Sequence, residues 1–218
     1  MRGFTSPVAA SEETRGVGSP KGASAVSSAL RFTRERLGRD VNRYAGEAID
    51  ISSVLSEASQ LAEVHGWQAE RMAVAEGPDL LAFHRAADPA SRRVYLSAGI
   101  HGDEPAGPVA MVQLLRENRW PVGAEYWVLP CLNPTGFRLN RRENADGQDL
   151  NRDYRHRRTP EVRAHVAWLD RQPAFDLTLL LHEDWESQGF YVYELNRDGQ
   201  PSLAEPMVAA VSEVCPID

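Results

Sequence analysis

Two histidines and a glutamate stand where alternating strands and helices would bring them together. His101, Gly102, Asp103 and Glu104 follow the apolar run 94–98 (VYLSA), and His182 closes a second apolar run, Leu177–Leu181 (LTLLL). Zinc takes imidazole nitrogen and carboxylate oxygen, and a catalytic site holds it with three protein ligands while one position stays open. A His and a Glu three apart at a strand end can turn toward one point, and Gly102 lets the backbone turn without a Cβ clash. By composition alone H-x-x-E is a weak motif that also fits an exposed loop. Its place between a strand and a helix favours a site, because active sites of open α/β sheets lie at strand ends. Taken singly, His182 fits a hydrogen-bonded cap on the sheet better than a ligand. Sharing a strand end with His101 adds weight to the ligand reading, and the His₂Glu set suits catalytic zinc. His65 beside a helix, His84 in a hairpin, His156 among arginines and His165 in mid-helix are weaker candidates.

Between these residues lies RRENADGQDLNRDY, 141–154, with Arg142 and Arg152 as long cations and Asn144 and Asn151 as amide partners. Guanidinium pairs with carboxylate through two parallel hydrogen bonds, so such a loop suits recognition of an anionic substrate end. The competing expectation is a solvated loop whose arginines pair with Asp146, Asp149 or Asp153, and it is preferred for Arg155, Arg157 and Arg158.

The elements that must position these residues follow from periodicity. Residues 51–64 space their apolar side chains on one helical face. Residues 71–74 and 80–84 flank Gly77 and Pro78 and predict a hairpin. After the strand at 94–98, Pro105 suits the first turn of a helix that runs to about Asn118, with Val109, Val112 and Leu115 on its buried side. Residues 126–129 (YWVL) predict a strand and 133–158 a long polar loop. Thr159 and Pro160 open a helix that ends near Arg171. The run 177–181 predicts a fully buried strand, 190–195 (FYVYEL) another, and 202–214 a helix. This alternation predicts an α/β fold with a mixed, mostly parallel sheet flanked by helices.

Composition bounds the rest. The 218 residues carry a net charge of -7, with a balance of +4 over residues 1–43 and -11 beyond them. An acidic main body argues against a nucleic-acid partner. Residues 1–42, rich in Ser, Ala, Gly and Arg, read as a disordered leader before a catalytic domain over 43–218. The two cysteines, Cys131 and Cys215, form no C-x-x-C pair, which fits a reducing, cytoplasmic setting. No apolar run is long enough to span a bilayer, so no membrane partner is expected.

The ordered set HGDEPAG (101–107), LPCLNPTGF (129–137), RENADGQDLNRDY (142–154) and LHED (181–184) resembles the M14 zinc metallocarboxypeptidases. It is most similar to their short bacterial branch, which includes murein-peptide amidases, and the related succinylglutamate desuccinylase/aspartoacylase enzymes share the ligand arrangement. The resemblance covers roughly residues 93–195 and rests on all four motifs occurring together.

It implies one Zn²⁺ per chain on His101, Glu104 and His182. It implies Asn151 and Arg152 as holders of a substrate carboxylate, and Arg142, with Arg138 and Arg141 close by, as the catalytic cation beside the scissile carbonyl. The implied activity is removal of a C-terminal amino acid from a peptide. The alternatives are deacylation of an N-acyl amino acid and a non-catalytic zinc-binding fragment or pseudoenzyme. The family's general base is a glutamate on a strand well beyond the third ligand. Only 36 residues follow His182, and Glu183, Glu186 and Glu194 do not match that position. The expectation is a sheet incomplete at its C-terminal side, in a fragment of a longer enzyme.

Overall fold

The computed structural model describes residues 48–218, apart from 90, 91 and 198. The leader read over 1–42 lies outside the described residues.

Helix α1 (Ile51–Val64) starts on Asp50, whose carboxylate accepts from the amides of Ser52 and Ser53. It stops at Gly66, which takes φ 74°, while the Trp67 amide returns to the Ala62 carbonyl at 2.8 Å. This is the left-handed stop that glycine permits. Strands β1 (Gln68–Met72) and β2 (Leu80–Arg85) form the expected hairpin. Strand β3 (Arg92–Ala98), helix α2 (Ala106–Glu117) and strand β4 (Ala124–Leu129) make a parallel crossover. Helix α5 (Pro160–Leu169) then leads to strand β5 (Leu177–Leu181), parallel to β3 on its other side. The order is β1-β2-β4-β3-β5, with the two hairpin-side pairings antiparallel. The sheet is mixed, as expected.

Strand alternation splits the core between two faces. Phe83, Leu96, Tyr126 and Val128 pack under α1 and α2. Tyr95, Trp127 and Leu129 pack under α5, with Val162 and Trp168. The connection after β3 thus runs over one face and the connection after β4 over the other. Where consecutive connections leave in opposite directions, a crevice opens beyond the strand ends. That crevice lies at the carboxyl ends of β3, β4 and β5.

Several expectations need correction. The stretch 133–158 is not simply a loop. It holds α3 (Pro134–Leu139), capped by Asn133, and the single turn α4 (Leu150–Asp153), capped by Asp149. Among the described residues β5 is an edge strand with Leu180 60% exposed, not a buried one; an all-apolar run does not reveal how many of its faces are covered. Residues 190–195 form no strand. Phe190 makes one bridge, to Ile217, and Tyr193 and Leu195 stand exposed, because strand propensity is realised only with a paired neighbour. On α2, Met111 is buried and Val109 is only half-buried. The last helix, α6 (Ala204–Val211), buries none of its residues.

His165, on α5, is 3% exposed and its ring lies among Tyr95, Tyr154 and Trp168. Burial holds its pKa down at about 4, against an ordinary 6.5. Between those two values the unfolded chain binds a proton that the folded chain refuses. Stability therefore rises with pH across the window and is lost on acidification through it. Urea denaturation from pH 7 to pH 4 should show a steeper loss in the native chain than in His165→Phe. The expected excess is on the order of 3 kcal/mol, and equal slopes would contradict this account.

Candidate functional site

The three ligand candidates meet at the crevice. Register sets two of them: Ala98 lies opposite Leu181 across β3 and β5, so His182 follows immediately and His101 three residues on. His101 Nδ1 lies 2.6 Å from Glu104 Oε1, and His182 Nδ1 lies 2.9 Å from Glu104 Oε2. The two imidazole centroids are 4.9 Å apart. One donor atom from each of the three residues falls within 4.8 Å of the others. His101 and Glu104 are buried, whereas His182 faces solvent.

Gly102 does avoid a Cβ clash, and the partner in that clash is α3. A Cβ there would stand 2.1 Å from the Gly136 carbonyl carbon and 2.4 Å from the Phe137 nitrogen. The glycine thus allows the 101–104 turn to lie directly on α3. Asn133 ties the two together, donating to the carbonyls of Ile100 at 3.2 Å and Arg142 at 3.1 Å.

Electrostatics make Glu104 a firm anion. Burial works to raise its pKa, but hydrogen bonds and charge from His101 and His182 outweigh it and hold the group at about 2. The Glu183 amide adds a third donor at 3.2 Å. The Glu183 carboxylate turns away, as its neighbouring position predicts, and accepts from the Ala106 amide at 3.0 Å. Glu194 is likewise engaged, with Ser202 and the Leu203 amide.

The loop between the ligands separates its arginines. Arg142 enters the site, with one terminal nitrogen 3.3 Å from His101 Nδ1 and 3.8 Å from Glu104 Oε1. Arg141 turns away and donates to the carbonyls of Asn144 and Ala145, and Arg138 is exposed on α3. Asn144, fully buried, partners no arginine side chain through its amide. That amide donates to Glu161 on α5 at 3.2 Å and accepts from the Asp146 and Gln148 amides. It staples the loop to α5. Among the described residues, none of the expected side-chain ion pairs within 4 Å joins Arg155, Arg157 or Arg158 to Asp146, Asp149 or Asp153. Asp149 is taken by Arg142, and the Asp153 carboxylate accepts backbone amides of Arg158 and Thr159. Asn151 and Arg152 occupy α4, Arg152 exposed and Asn151 half-buried.

Asp149 is the residue that sequence reasoning passed over. Its Oδ1 caps α4 through the amides of Asn151 (2.9 Å) and Arg152 (3.3 Å) and lies 3.6 Å from His101 Nε2. Its Oδ2 accepts from Arg142 Nε at 2.9 Å. Burial opposes its ionisation, yet the hydrogen bond and charge of Arg142 keep its pKa below the ordinary carboxylate value. One carboxylate thus fixes the cation and the α4 pair and stands beside the buried His101 Nε2, which has no hydrogen-bond partner among the described residues. The available signal was its place as the first polar residue before a short helix.

The residues fit a divalent metal. Two imidazoles and an ionised carboxylate converge on one point, and that donor set is the one catalytic zinc takes. An outer carboxylate beside His101 is the support a ligating histidine requires. Asp149→Asn should therefore weaken zinc affinity about 10- to 100-fold, read by competition with a chelating dye. Unchanged affinity would show that Asp149 does not support His101.

The chain is similar to known proteins over much of its length. Residues 90–211, more than half of the chain, match the succinylglutamate desuccinylase/aspartoacylase catalytic domain. Carboxypeptidase SOL1 of Arabidopsis thaliana is 30% identical over 117 residues, 44% of this chain and 23% of that protein. Murein peptide amidase A of Escherichia coli is 35% identical over 83 residues, 38% of this chain and 34% of that one. The matches thus span about a third or less of those relatives' length. A metallo-carboxypeptidase from Pseudomonas aeruginosa, solved with (2-guanidinoethylmercapto)succinic acid, is 27% identical with a TM-score of 0.51, covering 63% of this chain and 40% of that one. A Shewanella denitrificans protein assigned as a metallopeptidase by inference shares the fold at a TM-score of 0.65, with 22% identity over 78% of this chain and 71% of that one. The chain belongs to the succinylglutamate desuccinylase/aspartoacylase catalytic-domain family, among the M14-like metallocarboxypeptidases.

Proposed function

We propose that this chain carries the metal and substrate-end sites of a zinc-dependent hydrolase that releases a C-terminal amino acid from a peptide. The observation that carries the reading is the convergence of His101 Nδ1 and His182 Nδ1 on the Glu104 carboxylate, with Arg142 beside them. These three residues would hold one Zn²⁺, which when bound supplies Lewis acidity to a carbonyl and to a water. Arg142, fixed in direction by Asp149, places positive charge where the oxygen of a cleaving amide gains electrons. Asn151 and Arg152, set on α4 by the same carboxylate, would take the substrate's terminal carboxylate through directed hydrogen bonds. Among the described residues neither of their side chains is engaged in a hydrogen bond or ion pair, which leaves both available for that role.

A second reading, hydrolysis of an N-acyl amino acid, is favoured by the family model that matches residues 90–211. It uses the same metal, cation and carboxylate-holding pair, so substrate choice separates the two. No described helix is long and apolar enough to cross a membrane. Cys131 and Cys215 are both unpaired, which supports a reducing, cytoplasmic setting.

Purified protein should hold about one zinc per chain, the count a His₂Glu set accepts, and lose it in His101→Ala. Zinc retained at full stoichiometry in that variant would overturn the metal assignment. Arg142→Gln should keep the zinc and lower kcat by roughly 10²-fold, whereas Arg152→Ala should act mainly on KM. Turnover of a blocked dipeptide against an N-acetyl amino acid decides between the two substrate readings.

A further inference from the structure

The single turn α4 carries Asn151 and Arg152, and one turn of helix does not hold its own shape in water. Its N-terminal end is fixed by Asp149. At its C-terminal end, the Asp153 carboxylate holds the Arg158 and Thr159 amides. Tyr154 follows immediately, and its hydroxyl lies 2.5 Å from His165 Nδ1. On the opposite side of that ring, the Tyr95 hydroxyl lies 2.8 Å from His165 Nε2. Both ring nitrogens are therefore engaged. A neutral imidazole has one N–H and one acceptor nitrogen, so one tyrosine donates to it and the other accepts. The chain Tyr154–His165–Tyr95 links the end of α4 through α5 to strand β3.

The surroundings make this polar chain informative. His165 and Tyr95 are each 3% exposed, and the neighbouring rings are Trp168 and Phe175. An apolar side chain in such a pocket would avoid the desolvation of two hydroxyls and an imidazole. What a satisfied polar network adds is direction, since it admits one arrangement where apolar packing admits several. The direction it fixes is that of Tyr154, two residues from Arg152.

We propose that His165 is a positioning residue for the Asn151 and Arg152 pair, acting through Tyr154. The role assigned to the pair is the carboxylate-holding one given under the proposed function, on which this inference rests. His165 is distant in sequence from His101, Glu104 and His182, and metal content is expected to be independent of it.

The test compares zinc-loaded native chain with His165→Phe, which keeps a ring and removes both hydrogen bonds, and His165→Gln, which keeps a donor and an acceptor. Tyr154→Phe removes a single bond and serves if His165→Phe fails to fold. Amide hydrogen exchange at Asn151 and Arg152 is read by NMR, and binding of N-benzoylglycine by calorimetry. His165→Phe should speed exchange at those two amides and weaken N-benzoylglycine by about tenfold, the scale of lost outer supports. Zinc stoichiometry should not change, and His165→Gln should lie closer to the native chain on both readouts. Native exchange rates and native affinity in His165→Phe would overturn the proposal. So would a His165→Gln variant as impaired as His165→Phe, because bulk packing and not direction would then be the cause. Arg152→Ala is the control for the underlying reading. If it leaves N-benzoylglycine binding intact, or if the native chain does not bind this probe, the carboxylate role fails. The exchange rates then still decide whether His165 positions α4.

Discussion

The parallel pairing of β3 with β5 is the constraint on which the site depends. Its register places Leu181 opposite Ala98, and from that one alignment the two histidines emerge at the same end of neighbouring strands. A slip of one residue would turn His182 to the other face of the sheet. Glu104 then converts proximity into a site, because its two carboxylate oxygens accept from one histidine each. Everything further out follows this pairing: Arg142 and Asp149 are arranged around His101, and α4 is arranged around Asp149.

Much of this was legible in the sequence, and the reasons are local. A strand followed by H-G-D-E and then a proline-led helix is a pattern of adjacent residues, and so is Thr159-Pro160 at the head of α5. The same rule would have found α3, because Asn133-Pro134 repeats that cap and first turn. The polar character of 133–158 hid it. The predicted elements put His101 and His182 at strand ends, and the structure brings both beside Glu104. The family resemblance alone favours Arg142 over Arg138 and Arg141, since nearby residues differ only in where the backbone points them.

What sequence could not supply were the residues that matter through partners far along the chain. Asp149 reads as one of several loop acids until its two oxygens are seen to divide between α4 and Arg142. Asn144 reads as an amide beside an arginine, yet its amide spends its bonds on Glu161 and the loop's own backbone. The Tyr154–His165–Tyr95 chain joins three elements whose residues show no pattern in common. Burial misled in the other direction: LTLLL looks equally apolar on both sides, although Leu179 and Leu181 pack on the core and Leu180 does not.

The separation of Glu104 and His182 by 78 positions gives the candidate metal site a kinetic character. Such a site has no local precursor, because its third donor is brought to the others only by the pairing of β5 with β3. Contacts of this separation form late, when the entropy of closing a long loop is finally offset. The unfolded chain therefore offers no comparable three-donor cluster, and a divalent ion discriminates strongly between the two states. By mass action the ion shifts the folding equilibrium by RT ln(1 + [L]/Kd). A metal held by these three side chains would thus act as a clasp on the sheet, drawing tighter the strand pairing that brought them together.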